Sequence, residues 1–156
     1  MESKSVGRTV MEGLGVLSVV LSLAFVALQI KQSNEQARAA MSYQISESYT
    51  GLHDLVAGDG ELAEIVVRFG QPDPEFTPVE GQRAVSVAIR LLNTWLSVQS
   101  AYDNGLLTDE QFALYRGDVA VMVAGWPGVV PMWASVIETR PSIAELTILA
   151  PIVEQM

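Results

Sequence analysis

The segment from Gly13 to Ile30 is eighteen residues long and carries no charged side chain. An α-helix rises 1.5 Å per residue, so this segment gives about 27 Å of helix, close to the roughly 30 Å hydrocarbon core of a bilayer. Secretory signals also begin with an apolar run, and Ser22-Leu23-Ala24 would serve as a cleavage site. The run continues past that site, which favours a retained transmembrane helix at 13–30 behind an N-terminal flank at 1–12.

Small and polar residues within the predicted span recur at spacings of three and four. Such spacing places Gly15, Ser18, Ser22, Phe25 and Gln29 on one face of the helix. Small and hydroxyl-bearing side chains let a second helix approach closely, and an amide that faces lipid is costly unless a partner satisfies it. We therefore predict that this face binds another transmembrane helix. The alternative is that the small residues of a single span have no such role.

The rest of the chain is strongly acidic. Residues 39–156 hold five Arg and fifteen Asp or Glu, a net charge of −10. Negative charge of this density repels phosphate backbones, so nucleic acid is not expected among the partners. The sequence has no Cys, which excludes disulfides, thiolate metal sites and cysteine nucleophiles.

Helix signals follow one another through the remaining sequence. No Gly or Pro occurs between Val16 and Thr50, so the span should continue as a helical extension over 31–57 and stop at Gly58-Asp59-Gly60. Capping boxes, which satisfy the free backbone donors of a helix start, are predicted at Thr77, Thr108 and Ser142. The sequence predicts an all-α fold: one N-terminal transmembrane helix that continues into a small bundle of about five further helices, with residues 58–156 forming an acidic domain packed on the extension.

A second uncharged stretch covers nineteen residues, 119–137. Its length alone would suit another membrane element. Gly125-Trp126-Pro127-Gly128 and Pro131 interrupt it, which favours two buried helical pieces joined by a tight turn. A re-entrant or interface-lying segment is the alternative.

The C-terminal helix and two tryptophans are the best candidates for a partner surface on the domain. Trp126 precedes a Pro-Gly turn, where a side chain tends to project, whereas Trp95 is assigned to the core. The last helix, from Ser142, is apolar on nearly all sides and is expected to kink or fray at Pro151. A helix that is apolar all round must be buried, and another protein or the membrane interface would supply part of that burial. The predicted partner surface consists of Trp126, Trp133, Ile148 and Ile152.

His53 is the single histidine of the sequence. It could be a lone axial ligand to haem in a cofactor-binding redox subunit, but one imidazole cannot supply the Glu-x-x-His pairs of a di-iron bundle. A partly exposed His on an amphipathic helix is the favoured interpretation. Gly58-Asp59-Gly60 lacks the Lys and the spacing of a phosphate-binding loop. No catalytic residues, metal site or cofactor are predicted, and the protein is not expected to be an enzyme.

Residues Leu28 to Asn34, LQIKQSN, lie at the exit of the span. They resemble the LQIRQN-type signature of a large group of uncharacterised bacterial membrane proteins, with Lys31 in place of the usual Arg. The run Tyr102 to Leu107, followed by a capped helix, Pro127-Gly128 and Trp133, is similar to the downstream pattern of that group. The resemblance implies a single-pass protein of the bacterial inner membrane and favours the cytoplasmic side for the helical domain. It implies no catalytic residues.

Two Lys or Arg residues flank the span on each side, so the positive-inside rule leaves its orientation undetermined. The expected function is that of a non-catalytic, membrane-anchored interaction module, an accessory or stabilising subunit of a larger membrane protein complex. Its expected partners are other membrane protein subunits and the lipid bilayer. Two alternatives remain: a haem or other cofactor-binding redox subunit that uses His53, and a membrane-remodelling protein that inserts residues 119–137.

Overall fold

A computed structural model describes residues 3–156 and the side chains of residues 11–156. The described chain is entirely helical apart from its turns, which confirms the predicted all-α class. Six α-helices follow the first, where the sequence predicted about five. The helices are α1 (Ser3–Gly58), α2 (Gly60–Arg68), α3 (Pro78–Asp103), α4 (Asp109–Gly125), α5 (Val130–Thr139), α6 (Pro141–Ala144) and α7 (Ala150–Val153), with short 3₁₀ turns at Pro127–Val129 and Thr147–Leu149.

The chain divides into two compact units, Met1–Ala39 and Ala40–Met156. The N-terminal unit is a single helical segment, and every side chain described in it is exposed. The second unit, called the domain below, contains the last part of α1 and all the other helices. Ile45 and Leu52 of α1 are buried in the core of the domain.

The helix ends follow local sequence signals. Helix α1 runs without a break to Gly58, and the side chain of Asp59 then caps α2 by accepting the backbone N–H of Leu62 at 3.1 Å. The predicted stop at residues 58–60 is therefore confirmed. The capping boxes at Thr77 and Thr108 are also confirmed, since each Thr hydroxyl accepts from the third helical residue and that residue's side chain accepts from the Thr backbone.

The third predicted capping box, at Ser142, is wrong. Helix α6 begins at Pro141, lasts four residues and has no side-chain cap. The chain turns again before α7, in which Pro151 occupies the first turn. Pro151 cannot lie inside a helix that starts at Ser142, because it lacks an N–H and its ring would clash with the carbonyl four residues earlier. It opens a new helix instead of kinking an old one.

Helix α3 lies at the centre of the core. Its Trp95 is fully buried, as predicted, and its ring packs edge-on against Trp133 of α5 with ring centroids 4.8 Å apart. The C-terminal turns complete the core from another side. The buried residues of α3 are Ala84, Val87, Ala88, Leu91, Leu92, Thr94, Trp95, Val98, Gln99 and Ala101.

Residues 119–137 form a corner in the domain. Helix α4 ends at Gly125, the 3₁₀ turn follows, and the next helical piece leaves at 93°. Val119, Val123 and Trp133 point into the core from the two sides of the corner. The predicted two helical pieces joined by a tight turn are confirmed, and each buries one face while its other face, with Val121, is exposed. A re-entrant or interface-lying role of the exposed faces stays an open alternative.

A glycine makes the corner possible. The N–H of Gly128 donates to the carbonyl oxygen of Phe69 at 3.0 Å, which ties the corner to the loop after α2. A Cβ on Gly128 would overlap the carbonyl oxygen of Gln71 and lie 2.7 Å from the ring of Pro74. The two segments meet at a distance that no larger residue allows without movement.

Candidate functional site

The described N-terminal part of α1 is apolar and unburied. From Met11 onward it contains an eighteen-residue stretch long and apolar enough to cross a membrane, and none of that stretch is buried inside the protein. The large side chains there are between 48% and 74% exposed. They are Met11, Leu14, Val16, Leu17, Val19, Val20, Leu21, Leu23, Phe25, Val26, Leu28 and Ile30.

The predicted partner face lies on this stretch, and all five of its side chains are exposed. The hydroxyl of Ser18 donates to the carbonyl oxygen of Leu14, and that of Ser22 to the carbonyl oxygen of Ser18, both at 2.8 Å. These donors are therefore already satisfied within the helix. A second helix could approach closely along Gly15, Ser18 and Ser22, but it would find no free hydroxyl donors there. Binding at this face stays a prediction.

The predicted partner surface on the domain needs correction. Trp133, Ile148 and Ile152 are each 0% exposed, so they belong to the core and cannot contact a partner. The indole N–H of Trp133 donates to the carbonyl oxygen of Ala88 at 2.9 Å, and the backbone N–H of Ile148 donates to Oε1 of Gln99 at 3.0 Å. The apolar C-terminal segment is buried because its breaks fold it back onto α3 and α4.

Trp126 is half-buried rather than projecting. Its ring packs edge-on against Phe69, with centroids 5.7 Å apart, and it forms one wall of a cavity of about 100 Å³ between α1, α2, α3 and α4. His53 is exposed but borders the same cavity. Small-molecule sites occupy roughly 300–1,000 Å³, and this cavity is smaller than that range. Within residues 11–156 no cluster of three potential metal ligands occurs.

Tyr49 lies on the cavity wall opposite Trp126. Its hydroxyl oxygen accepts the indole N–H of Trp95 at 3.1 Å, which joins α1 to α3. Burial raises the pKa of Tyr49 to about 12, so the hydroxyl stays protonated at neutral pH. The pair therefore acts as a fixed polar link inside an apolar wall.

Two surface grooves meet on α3, and no sequence pattern predicts either of them. The first, of about 360 Å³, runs between α3 and α5. Its lining is mainly apolar. The residues that line it are Val85, Ala88, Ile89, Pro131, Met132, Trp133, Ser135 and Val136.

The second groove lies between α1 and α3, and Ile89 lines it as well as the first. Its lining is about half polar, and Arg90 is the one cation in it. The hydroxyls of Ser86, Thr94 and Ser97 donate to backbone carbonyls four residues earlier, so their protons are already used within α3. The residues that line it are Ser48, Ser86, Ile89, Arg90, Asn93, Thr94 and Ser97.

Comparisons with protein-family models, with curated proteins and with solved structures find no match to this chain.

Proposed function

We propose that this protein is a non-catalytic, membrane-anchored interaction module, an accessory or stabilising subunit of a larger membrane protein complex. The observation that carries the proposal is the long apolar segment of α1, which the rest of the protein leaves uncovered. Burying one large apolar side chain is worth about 1.5–3 kcal/mol, so a stretch of such residues is strongly driven out of water. A bilayer around Gly13 to Ile30 provides that burial.

The partner of the span is proposed to be a transmembrane helix of another subunit. Gly15, Ser18 and Ser22 leave space on one face, and Gln29 supplies an amide that a neighbouring helix can satisfy. Because the serine hydroxyls already bond to their own helix, close packing rather than new hydrogen bonds would hold the two helices together.

The same apolar segment supports a proposal for where the protein is located. The proposal places the protein in a bacterial inner membrane as a single-pass protein, and the resemblance of residues 28–34 to the LQIRQN-type group favours a cytoplasmic domain. The domain is too acidic to adhere broadly to anionic lipid headgroups. Contacts between the domain and its surroundings would therefore be specific ones.

A double substitution tests the partner face. Ser18→Leu with Ser22→Leu adds bulk where the partner helix would approach, so proteins that co-purify from native membranes should be lost, as measured by mass spectrometry. Val20→Leu with Ala24→Leu adds bulk at the same spacing on the opposite side of the helix and should leave co-purification intact. Thermal unfolding of the domain should be the same in both variants. Co-purification that survives the serine substitutions would overturn the proposal.

A further inference from the structure

The two grooves on α3 differ in chemistry but share a wall. The α3–α5 groove, at about 360 Å³, falls within the roughly 300–1,000 Å³ range of small-molecule sites and is mainly apolar. Ile89 separates it from the polar groove that holds Arg90. A ligand that filled both grooves would need an apolar part and a polar part, linked where the ligand passes Ile89.

Arg90 is the charged group that a ligand would meet. Arg68 pairs with Glu80, and Arg83 pairs with Glu61 at 2.8 Å and Asp59 at 3.7 Å. Among residues 11–156 Arg90 has no such partner, and neither have Arg116 and Arg140; of these three, Arg90 is the one that lies in the groove next to the apolar one. A guanidinium left without a carboxylate binds carboxylate or phosphate oxygens through paired N–H groups.

The position of the guanidinium is set by Gly51 of α1. Nη2 of Arg90 lies 2.8 Å from the point that a Cβ on Gly51 would occupy, so the absence of a side chain lets the guanidinium lie against the helix. The amide of Asn93 is a second donor in the same groove. Arg90 and Asn93 thus place hydrogen-bond donors next to the apolar groove between α3 and α5.

We propose that the two grooves together bind a single-chain anionic amphiphile, with its acyl chain between α3 and α5 and its carboxylate or phosphate on Arg90. A second copy of the domain would bring a net charge of −10 against another of −10, whereas a single-chain amphiphile brings one carboxylate or phosphate. A free anion would leave the apolar groove empty. A single-chain amphiphile also passes readily between a bilayer and water, so it can reach the domain from the membrane in which the span lies.

Photolabelling of the full chain tests this site. The protein is placed in nanodiscs of phosphatidylcholine with a fatty acid that carries a diazirine in its chain, irradiated, digested and examined by mass spectrometry. Adducts are expected on α5 at Pro131, Met132 and Val136. Residues 13–30 should also be labelled, because they lie in lipid, and they serve as an internal standard. The alcohol with the same chain should label the span but not α5.

Substitutions at Arg90 and Gly51 distinguish a loss of the charged contact from a loss of folding. Arg90→Gln should lower labelling of α5 at least about tenfold relative to the span, since a charge-assisted contact is lost. Gly51→Ala should lower it several-fold by displacing the guanidinium, while the melting temperature does not fall. Arg116→Gln, which changes an exposed Arg of α4, should leave labelling unchanged.

Four results would overturn the proposal. These are labelling of α5 that persists in Arg90→Gln, equal labelling by the alcohol, displacement of the fatty acid by inorganic phosphate alone, and labelling of α5 by a diacyl probe, which would identify the bilayer itself as the occupant. The site lies outside the partner face of the span, so the two proposals fail separately. The double serine variant should retain full labelling of α5.

Discussion

Gly128 shows how one residue decides the geometry of the domain. It lies in the 3₁₀ turn between α4 and α5, where the loop after α2 leaves no room for a Cβ. Gly128→Ala should destabilise the domain by about 1–3 kcal/mol, because the carbonyl of Gln71 and the ring of Pro74 are rigid and must move. Denaturant unfolding measures the change.

Gly117→Ala is the matched control for that substitution. Gly117 lies in the exposed middle of α4, and a Cβ there would meet nothing within 4 Å. Ala should therefore raise the free energy of unfolding by about 0.5–1 kcal/mol through its better helix propensity. Two Gly→Ala changes in neighbouring segments should have opposite signs, and equal effects would contradict the tight contact at Gly128.

Glu80 gives the domain a defined response to acid. The guanidinium of Arg68, followed by the backbone and hydroxyl of Thr77, lowers the pKa of Glu80 from 4.5 to about 2. A carboxyl with a depressed pKa in the folded state adds stability above its unfolded pKa, and that stability is lost as pH falls from about 4.5 to about 2. The difference in stability between wild type and Glu80→Gln should therefore shrink over this range, as followed by unfolding at several pH values. A difference independent of pH would contradict the assignment.

At the scale of helices, the elements that the sequence predicts well are those fixed by local chemistry. The starts of α2, α3 and α4 depend on side chains within three residues of the start, and such patterns are visible in the sequence. The prediction of one helix from Ser142 was wrong. The pattern at Ser142 matches a capping box, but Pro151 and the core of the domain break the chain into short helices. Long-range packing overrides a local signal there.

Substitutions at Thr108 and Ser142 test the difference between a cap that forms and a predicted cap that does not. Thr108→Ala removes a cap that accepts from the backbone of Gln111, so it should lower the free energy of unfolding by about 1 kcal/mol. Ser142→Ala should change it by less than about 0.5 kcal/mol, because Ser142 is exposed and caps no helix. Thermal unfolding of both variants measures the contrast. A loss at Ser142 equal to that at Thr108 would show that the predicted third cap forms after all.

The candidate sites could be predicted from the sequence only in part. The long apolar stretch of α1 lies in one continuous segment, so composition predicts it. Its small-residue face follows from spacing and stays a prediction. The grooves could not be found in this way, because Gly51, Arg90 and Met132 come from three helices that are remote in sequence. Trp133 was misassigned for the same reason. The sequence around an aromatic residue near a turn does not show whether its side chain faces solvent or a neighbouring helix.

At the scale of the molecule, the domain should fold without the N-terminal unit. Among the side chains that the structure describes, those of the buried core all belong to residues 40–156, including Ile45 and Leu52 of α1. A chain of residues 40–156 should be soluble and helical and should unfold cooperatively, as measured by circular dichroism. A chain of residues 58–156 lacks Ile45, Leu52 and the Tyr49–Trp95 hydrogen bond, and it should lose cooperative unfolding. Equal stability of the two chains would show that α1 adds nothing to the core.

The burial of Ile148, Leu149 and Ile152 has a consequence for synthesis. These residues complete a core whose first members, Ile45 and Leu52, leave the ribosome about a hundred residues earlier. Until Ile148, Leu149 and Ile152 are made, Trp95 and its apolar neighbours lack part of their cover. The nascent domain is therefore expected to need protection from aggregation until these residues can pack.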